Sequence, residues 1–235
     1  MKDKKFILAF IPARGGSKGI PKKNIIKLNN KPLIQYTLDL CRKNLNVDDY
    51  FVSTDSREIK KVLSKLDYIN EYKRPKNLSN DSASMVDTVL HGVKWYEKKN
   101  KVKVNSIILL QPTSPIRDID ELNSAINFFR KKKLKSLFSA CDMRESPYEC
   151  IELSKNLNSW KRLKTPAKNI KRRQDYLKKF AFIDGSFYIT NIDFLRKNKS
   201  FVVKGISNFF LLGNNYKVDI DEKFDLFLAE KILEN

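Results

Sequence analysis

The sequence predicts an α/β fold with a doubly wound, mostly parallel sheet, folded as a single domain over residues 1–235. Short apolar runs alternate with amphipathic segments of helical spacing along most of the chain, which is typical of alternating strands and helices. Several runs, such as residues 106–110, are apolar without interruption, as expected of strands covered on both faces. Polar turns containing glycine or proline follow these runs, where sheets of this class bind their ligands.

The predicted elements follow one another in a regular order. Residues 6–11 form the first strand, and Asp55 or Ser56 is placed to cap the helix that follows the second strand. Residues 143–180 are polar, basic and irregular, and they indicate an extended hairpin that leaves the core. The other elements are helices at 32–41, 56–66, 84–98, 118–130 and 224–233 and strands at 50–55, 106–110 and 137–141, and regular structure is expected to return at 182–190.

The composition is typical of a soluble enzyme. Hydrophobic residues make up 41% of the chain, and no run approaches the roughly 18 apolar residues of a membrane span. The apolar run after the basic N-terminus is too short for a signal peptide, so we expect a cytoplasmic protein without a membrane partner. The net charge of +20 would suit a polyanion, but the lysines are dispersed and no nucleic-acid motif accompanies them. We therefore expect no nucleic-acid partner, although a basic nucleic-acid-binding module is kept as an alternative.

The cysteines and the histidine exclude several kinds of chemistry. Cys41, Cys141 and Cys150 include no C-x-x-C pair, so we expect thiols in a reducing compartment. The single histidine, His91, lies in a helical pattern and favours a structural role. One histidine is too few for a zinc site built on histidines, and it makes a Ser-His-Asp triad a poor candidate.

The turn after the first strand carries the strongest functional signal. Its sequence is Pro12-Ala13-Arg14-Gly15-Gly16-Ser17-Lys18-Gly19, and Lys23 and Asn24 follow. Glycines let backbone N–H groups approach a polyanion closely, and the basic side chains add full positive charges. The spacing matches neither the P-loop nor the dinucleotide fingerprint. The turn therefore predicts a triphosphate site of another kind, the alternative being a flexible basic surface turn.

A pair of aspartates near the C-terminus predicts a metal site. Asp219 and Asp221 are two residues apart on an extended segment, so both carboxylates point to the same side of the chain. Carboxylate oxygens suit Mg²⁺, which binds one or two of them together with substrate phosphates. In the alternative interpretation, Asp221 caps the C-terminal helix and Asp219 is a solvated charge.

Three further clusters are less specific. Arg74-Pro75 precedes residues 81–84, which lead into a helix, and the proline-stiffened turn at 111–117 is either a binding loop or a rigid connection. Arg172-Arg173-Gln174-Asp175 is either a solvated basic face or a site for a substrate carboxylate, which a guanidinium binds through two hydrogen bonds.

Taken in order, these clusters resemble the acylneuraminate cytidylyltransferase family, the CMP-sialic acid synthetases and their legionaminic and pseudaminic relatives. The resemblance spans nearly the whole chain, and its specificity lies in the ordered set. It implies a Rossmann-like sheet of the nucleotide-diphospho-sugar transferase type. It also implies that CTP and a nine-carbon α-keto acid sugar give a CMP-sugar and pyrophosphate. The matching residues are 11–19 with Lys23-Asn24, Ser53-Thr54-Asp55, Arg74-Pro75, 110–115, Arg173-Gln174, Gly185 with Tyr188-Ile189, and Asp219-Ile220-Asp221.

The resemblance also implies roles for single residues. Arg14, Lys23, Asp219 and Asp221 are implied to be catalytic, and the two aspartates to hold Mg²⁺. Segment 143–180 is implied to be a dimerisation lobe that reaches over the neighbouring active site, so a homodimer is expected. The implied nucleotide-binding residues are Ala13, Arg14, Gly15, Ser17, Lys23, Asn24, Arg74 and Ser84, and the implied sugar-binding residues are Gln111, Arg173, Gln174 and Tyr188.

Two departures from the family pattern fall on the sugar side. Asp184 stands where the family usually has asparagine, and Glu149 lies near a position where sialic-acid enzymes tend to carry lysine. The segment 146–149 is closer to the legionaminic branch. The nearest rival activity is a cytidylyltransferase for the eight-carbon sugar Kdo, whose loop usually lacks this Gly-Gly-Ser-Lys-Gly and Lys-Asn combination.

Overall fold

The computed structural model describes residues 5–17, 19–43, 45–143, 145–156, 159–165, 179–213 and 217–234. Its centre is a sheet whose strands lie in the order β11 (Asn208–Leu211), β6 (Ser136–Asp142), β10 (Tyr188–Asn191), β5 (Ser106–Leu109), β1 (Ile7–Pro12) and β4 (Asp49–Ser53), with β9 (Ala181–Phe182) paired to β6. All strands on this path are parallel except β10, which runs antiparallel to both β5 and β6. The predicted α/β class with a mostly parallel sheet is confirmed.

The elements alternate as the sequence predicts. Two small hairpins are formed by β2 (Lys27–Leu28) with β3 (Lys31–Pro32), and by β7 (Ile151–Leu153) with β8 (Trp160–Arg162). The helices are α1 (Leu33–Arg42), α2 (Arg57–Lys65), α3 (Met85–Asn100), α4 (Ile119–Lys131), α5 (Ile192–Asn198) and α6 (Lys223–Glu234), with 3₁₀ turns at Lys23–Ile25 and Lys76–Leu78.

Helices cover both faces of the sheet, which explains why its central strands are apolar throughout. Every residue of β1 is buried, and successive side chains enter different cores. Ile7, Ala9 and Ile11 pack in the core formed with α1, α2 and α4, whereas Leu8 and Phe10 pack in the core formed with α3 and α5. Burial on both faces fixes the position of β1 and so of the turn that follows it.

Hydrogen-bonding side chains set the starts of the helices. The Ser56 hydroxyl accepts a bond from the N–H of Ile59, and the Asp118 carboxylate accepts bonds from the N–H groups of Asp120 and Glu121. These caps satisfy N–H groups that the first helical turn leaves unpaired. Of the two caps considered for α2, Ser56 is therefore correct.

The regular structure expected at 182–190 takes the form of two short strands. Between β9 and β10 the chain turns at Gly185, whose φ of 74° lies in the left-handed region. The Asp184 carboxylate accepts a bond from the Ser186 hydroxyl and stabilises the turn. The interruption brings the Ser186 carbonyl to Arg117, with consequences described below.

The described part of segment 143–180 contains a hairpin that pairs outside the main sheet. Leu153 lies opposite Trp160, and Glu152 lies opposite Lys161. Ile151, Leu153 and Trp160 therefore share one face of the hairpin, and all three are exposed. Glu152 and Lys161 form an ion pair at 3.1 Å on the other face. The hairpin is thus amphipathic, with an apolar face that the described residues leave uncovered.

Among the described helices, none combines the length and the apolar character needed to cross a membrane.

Candidate functional site

A cleft of about 490 Å³ opens at the carboxyl ends of the central parallel strands. The turn after β1 and the segment before α6 both line the cleft, and they touch each other at Gly19 and Asp221. The turn after β5 forms the base. The residues lining the cleft are Pro12, Arg14, Ser17, Gly19, Lys23, Asn24, Arg74, Met85, Gln111, Pro112, Thr113, Asp219, Asp221 and Glu222. The structure therefore brings the basic glycine turn and the aspartate pair, about two hundred residues apart in sequence, to one cavity.

Hydrogen bonds from neighbouring elements shape the glycine turn. The Ala13 N–H donates to the Ser53 carbonyl at 2.9 Å, which continues the β1–β4 ladder past Pro12. The Gly15 N–H donates to Asp55 Oδ1 at 3.0 Å, and Asn24 Nδ2 donates to the Arg14 carbonyl at 2.9 Å. Asn24 is buried, so its position in the predicted nucleotide site also serves the conformation of the turn.

Close backbone approach explains two of the glycines. A Cβ on Gly15 would lie 2.8 Å from the Cβ of Ser56, the N-cap residue of α2. A Cβ on Gly19 would lie 2.4 Å from the carbonyl oxygen of Asp221. Glycine at position 19 thus lets the turn lie directly against residues 219–221, the aspartate segment. A Cβ on Gly16, by contrast, would meet no atom within 4 Å.

The cations of the turn are paired with carboxylates. Arg14 Nη1 lies 2.6 Å from Asp81 Oδ1, and Lys23 Nζ lies 2.7 Å from Asp221 Oδ1. The Lys23 side chain is 13% exposed, and the carboxylate side chain of Asp221 is 72% exposed. An incoming polyanion must therefore replace carboxylate oxygens as the partner of these cations, and a metal ion at Asp221 would compete with Lys23 for the same oxygen.

Arg74 lies behind the cleft and is buried. Its Nε donates to Ser53 Oγ at 3.0 Å, and its Nη2 donates to the Ser53 carbonyl. Burial lowers the pKa of the Arg74 guanidinium, and the nearby Asp55 carboxylate raises it in part. Arg74 therefore fixes the end of β4 and lines the cleft with a positive charge at the same time.

The turn after β5 holds the aspartate segment in place. The Ile220 N–H donates to the Thr113 carbonyl at 2.7 Å, and Ser114 Oγ lies 3.4 Å from Asp219 Oδ1. Ile220 is fully buried, so the residues on either side of it, Asp219 and Asp221, face outward. The turn at 111–117 connects β5 to α4 and also lines the cleft, and its role as a binding loop stays a prediction.

The helix α6 is capped by a residue other than Asp221. The Asp225 carboxylate accepts bonds from the N–H groups of Asp221 and Glu222, at 2.9 and 2.8 Å. The Asp221 carboxylate is directed to Lys23. The alternative in which Asp221 serves as the side-chain N-cap is therefore wrong, and its carboxylate belongs to the cleft.

Two carboxylates in the cleft suit a metal that binds substrate at the same time. In the described segments no group of three or more His, Cys, Asp or Glu residues could enclose a metal ion. Asp219 and Asp221 both line the cleft, and Mg²⁺ usually takes one or two carboxylates and completes its shell with phosphate and water oxygens. The donor set therefore fits Mg²⁺ bound with a polyphosphate and does not fit a closed structural metal site.

Arg117 is a residue of the site region whose role the sequence does not reveal. Its guanidinium donates to the Ser186 carbonyl at 2.8 Å and to the Gln111 carbonyl at 2.6 Å. A third contact, at 3.3 Å, reaches the Thr37 hydroxyl on α1. Burial lowers the pKa of Arg117 to about 10, so it is still a cation at neutral pH. Arg117 joins the turn after β5 to the turn before β10 and so positions Gln111 in the cleft.

The other predicted residues are placed as follows. Ser17 and Gln111 line the cleft, whereas the Ser84 hydroxyl caps α3 by accepting from the Asp87 N–H at 3.3 Å. Tyr188 begins β10 and lies beyond the described cleft wall; burial raises its pKa, and the nearby Asp184 and Asp219 carboxylates raise it further. Arg173, Gln174 and Lys18 lie outside the described residues.

The sequence analysis missed Met85 and Glu222 in the cleft, whereas Thr113 lies inside the predicted cluster 111–117. Met85 follows Ser84, which the motifs had indicated, so a wider window around that motif would have included it. Glu222 follows Asp221 directly and adds a third acidic side chain to the cleft.

Comparisons with known proteins agree with the geometry. A profile of the family described as Cytidylyltransferase matches residues 8–181. The chain is 32% identical over 224 residues to the pseudaminic acid cytidylyltransferase of Campylobacter jejuni, covering 95% of this chain and 94% of that protein. It is 30% identical to the CMP-N,N'-diacetyllegionaminic acid synthase of Legionella pneumophila, covering 97% of this chain and 96% of that protein. The resemblance inferred from the motifs is confirmed.

A solved structure shows the same fold. A CMP:2-keto-3-deoxy-manno-octonic acid synthetase complexed with CTP superposes with a TM-score of 0.70, covering 98% of this chain and 99% of that one. Its sequence is 17% identical, so the likeness supports the Rossmann-like architecture and carries no conclusion about the sugar.

Proposed function

The chain belongs to the cytidylyltransferase family, and from this premise we propose that it transfers CMP from CTP to a nonulosonic acid of the pseudaminic, legionaminic or sialic type. Pyrophosphate is the second product. The observation that carries the proposal is the single cleft in which the glycine turn and the aspartate pair meet. The similarity to two enzymes for nine-carbon sugars, each aligned over almost the whole chain, supports the choice of sugar class.

The nucleotide side of the cleft is cationic. In the proposed complex, Arg14, Lys23 and the N–H groups of the glycine turn bind the triphosphate, with Ser17 beside them. Asn24 and Arg74 contact the cytidine. Arg14 and Lys23 line the cleft and are each paired with a carboxylate, which phosphate oxygens would replace in the complex.

The reaction requires an in-line displacement at the α-phosphorus. The anomeric hydroxyl of the sugar forms the new P–O bond, and the bond to pyrophosphate breaks. Little covalent work falls to the protein, so orientation of the two substrates and neutralisation of the phosphate charge dominate the rate. His91 on α3 has Nδ1 2.9 Å from the Tyr72 hydroxyl and does not line the cleft. We therefore assign the proton of the anomeric hydroxyl to an aspartate of the cleft and not to imidazole.

Asp219 and Asp221 would hold Mg²⁺ in this complex. The metal would supply charge neutralisation on the phosphates and acidification of a bound hydroxyl. The carboxylates are kept on one face by the buried Ile220, and the Thr113 carbonyl fixes the backbone between them. Lys23 would move from Asp221 to the phosphates when the substrate arrives.

On the sugar side of the proposed complex, the substrate contacts Gln111, Tyr188, Arg173 and Gln174, the last two of which lie outside the described residues. Arg117 acts on this side indirectly, since it ties Gln111 to the turn before β10. The departures at Asp184 and Glu149 belong to the same side, and the segment 146–149 favours a legionaminic rather than a sialic substrate. We expect a homodimer whose hairpin β7–β8 supplies the contact, in a cytoplasmic setting consistent with three cysteines present as thiols.

The test is a pyrophosphate-release assay with CTP, Mg²⁺ and a panel of sugars. The panel contains pseudaminic acid, N,N'-diacetyllegionaminic acid, N-acetylneuraminic acid and Kdo. We expect turnover with one or more of the nine-carbon acids and little with Kdo. Preferred turnover of Kdo would support the rival activity. Turnover with none of the four, together with salt-sensitive RNA binding, would support the nucleic-acid-binding alternative.

A further inference from the structure

A second cavity lies at the amino-terminal ends of the parallel strands, across the sheet from the nucleotide cleft. It has a volume of about 800 Å³ and opens where β1 and β5 begin, at Ile7 and Ser106. Asn191, at the end of the antiparallel β10, borders it as well. The C-terminal part of α4 and the helix α5 form its sides. This basal cavity takes no part in the proposed reaction, because ligands of that reaction bind at the carboxyl ends of the parallel strands.

The floor of the basal cavity is apolar. Ile7, Phe129 and Phe194 are buried in the protein and present part of their surface to it. Leu134 and Ile206 complete the apolar wall, and Ile206 is 47% exposed. Such a surface can cover a ring or a short acyl chain, and a small-molecule site typically combines an apolar lining with a few polar groups.

The rim of the basal cavity is cationic. Lys5, Lys133, Lys135 and Lys197 line it, and in the part of the chain that the structure describes none of them pairs with a carboxylate. By contrast, Arg130 pairs with Asp48 at 3.4 Å, and the one acidic residue of the lining, Asp193, pairs with Arg196 at 3.0 Å. The lining thus keeps an uncompensated positive charge.

The helix dipole accounts for one of these lysines and not for the group as a whole. A basic residue in the last turn of a helix offsets the partial negative charge there, which is a sufficient reason for Lys197 on α5. Lys5 precedes β1 and Lys135 precedes β6, so neither lies in a helix. Their convergence with Lys133 on an apolar cavity needs another explanation, and an anionic ligand supplies one.

We propose that the basal cavity binds a small amphipathic anion, with its apolar body against Phe129, Phe194 and Ile206 and its phosphate or carboxylate head against the lysines. Lysine ammonium groups act as point charges for such a head group. An apolar floor without a rim of charge would suit a neutral ligand, and a charged rim without the floor would suit a free phosphate. The two together select a molecule that carries both parts.

The test is isothermal titration calorimetry with octyl phosphate, inorganic phosphate and 1-octanol as probes, the first below its micelle concentration. We expect octyl phosphate to bind once per chain and at least about tenfold more tightly than either partial probe. The variant Lys135→Glu/Lys197→Glu should weaken octyl phosphate binding by about tenfold or more, and Ile206→Ser by about threefold. The matched variant Lys61→Glu/Lys65→Glu, with the same net charge and both changes exposed on α2, should bind as the wild type does.

Three results would overturn the proposal. Equal binding of octyl phosphate by the two charge-reversal variants would place the site elsewhere on this basic protein. Binding of inorganic phosphate as tight as that of octyl phosphate would remove the role of the apolar floor. Tight binding of a short single-stranded RNA that depends on Lys135 and Lys197 but not on Ile206 would show a polyanion surface. The titrations need no CTP and no sugar, so they stand or fall apart from the proposed enzymatic reaction.

Discussion

At the scale of single residues, Asp219 and Asp221 line, next to Glu222, a cleft that also holds Arg14 and Lys23. Asp219→Asn and Asp221→Asn each remove one anionic oxygen ligand and keep the shape of the side chain. We expect each change to lower kcat by at least about a hundredfold in the presence of Mg²⁺, since charge neutralisation carries most of the rate in phosphoryl transfer. Pyrophosphate release under saturating CTP measures the loss.

Two controls separate a metal role from a structural one. Glu234→Gln removes an exposed carboxylate at the end of α6 and should leave kcat unchanged. The asparagine variants should keep the thermal midpoint of the wild type, because both side chains are exposed, and should still bind CTP when Mg²⁺ is absent. Wild-type turnover by either asparagine variant would show that the assigned metal role is wrong.

Cys41 is a buried thiol with a strongly perturbed acidity. Burial raises the pKa of the Cys41 thiol to about 12, while Arg117 lowers it in part. The thiol of an unfolded chain has a pKa of about 8.5. The neutral Cys41 thiol therefore contributes fully to the stability of the folded protein below that pH, and this contribution is lost as the pH rises through about 12. We expect iodoacetamide at pH 8 to alkylate Cys41 at least about a hundredfold more slowly in the native protein than in urea. Peptide mass spectrometry measures both rates, and comparable rates would show that α1 opens locally.

At the scale of elements, the approach of the glycine turn to the aspartate segment can be tested by one methyl group. Gly19→Ala places a Cβ 2.4 Å from the Asp221 carbonyl oxygen, so one of the two segments must shift. We expect a loss of about 1–3 kcal/mol in the free energy of unfolding, typical of overpacking, and a fall in kcat of more than about tenfold. Urea denaturation and pyrophosphate release measure the two effects.

Gly16→Ala is the matched control in the same turn. No atom lies within 4 Å of a Cβ at position 16, so this variant should keep stability and activity close to the wild type. If Gly16→Ala and Gly19→Ala lost activity equally, loss of flexibility in the turn would be the cause and the close contact with Asp221 would not.

Local patterns predict the elements well, and long-range pairings account for what they miss. Ser56, Ser84 and Asp118 cap their helices through bonds two or three residues along the chain, so the predicted starts of α2, α3 and α4 agree with the structure to within a residue. The insertion of β10 between β5 and β6 depends on partners far away in sequence, and no local periodicity encodes it.

The same distinction applies to the site. The glycine turn and the aspartate pair are recognisable from their spacing, since each forms a small chemical unit by itself. Arg117 is recognisable only in three dimensions, because its contact with the Ser186 carbonyl spans 69 residues of sequence. A residue that acts by joining two turns leaves no short motif.

At the scale of the whole molecule, the basic side chains at the two ends of the sheet differ in whether they are paired with carboxylates. In the nucleotide cleft Arg14 and Lys23 are paired with carboxylates, whereas the lysines of the basal cavity have no such partner among the described residues. Pairing keeps side chains ordered until a ligand replaces the carboxylate. Since unpaired exposed charges are the more strongly screened by salt, ligand binding at the basal cavity should be the more sensitive of the two to ionic strength.

The proposed homodimer is expected to form through the hairpin β7–β8. Leu153 and Trp160 lie opposite each other on its apolar face and are 55% and 62% exposed. Covering two such side chains in a dimer would stabilise it by about 2–3 kcal/mol for each.

Leu153→Asp with Trp160→Asp should therefore weaken dimerisation by at least about a hundredfold without loss of the monomer fold, because the hairpin pairs outside the main sheet. Sedimentation velocity over a range of concentrations measures the change. Glu152→Gln with Lys161→Gln alters the opposite face of the same strands and should leave the dimer intact. A wild-type protein that sediments as a monomer at every concentration would contradict the dimer itself, whereas an aspartate variant that still dimerises would move the interface to another surface.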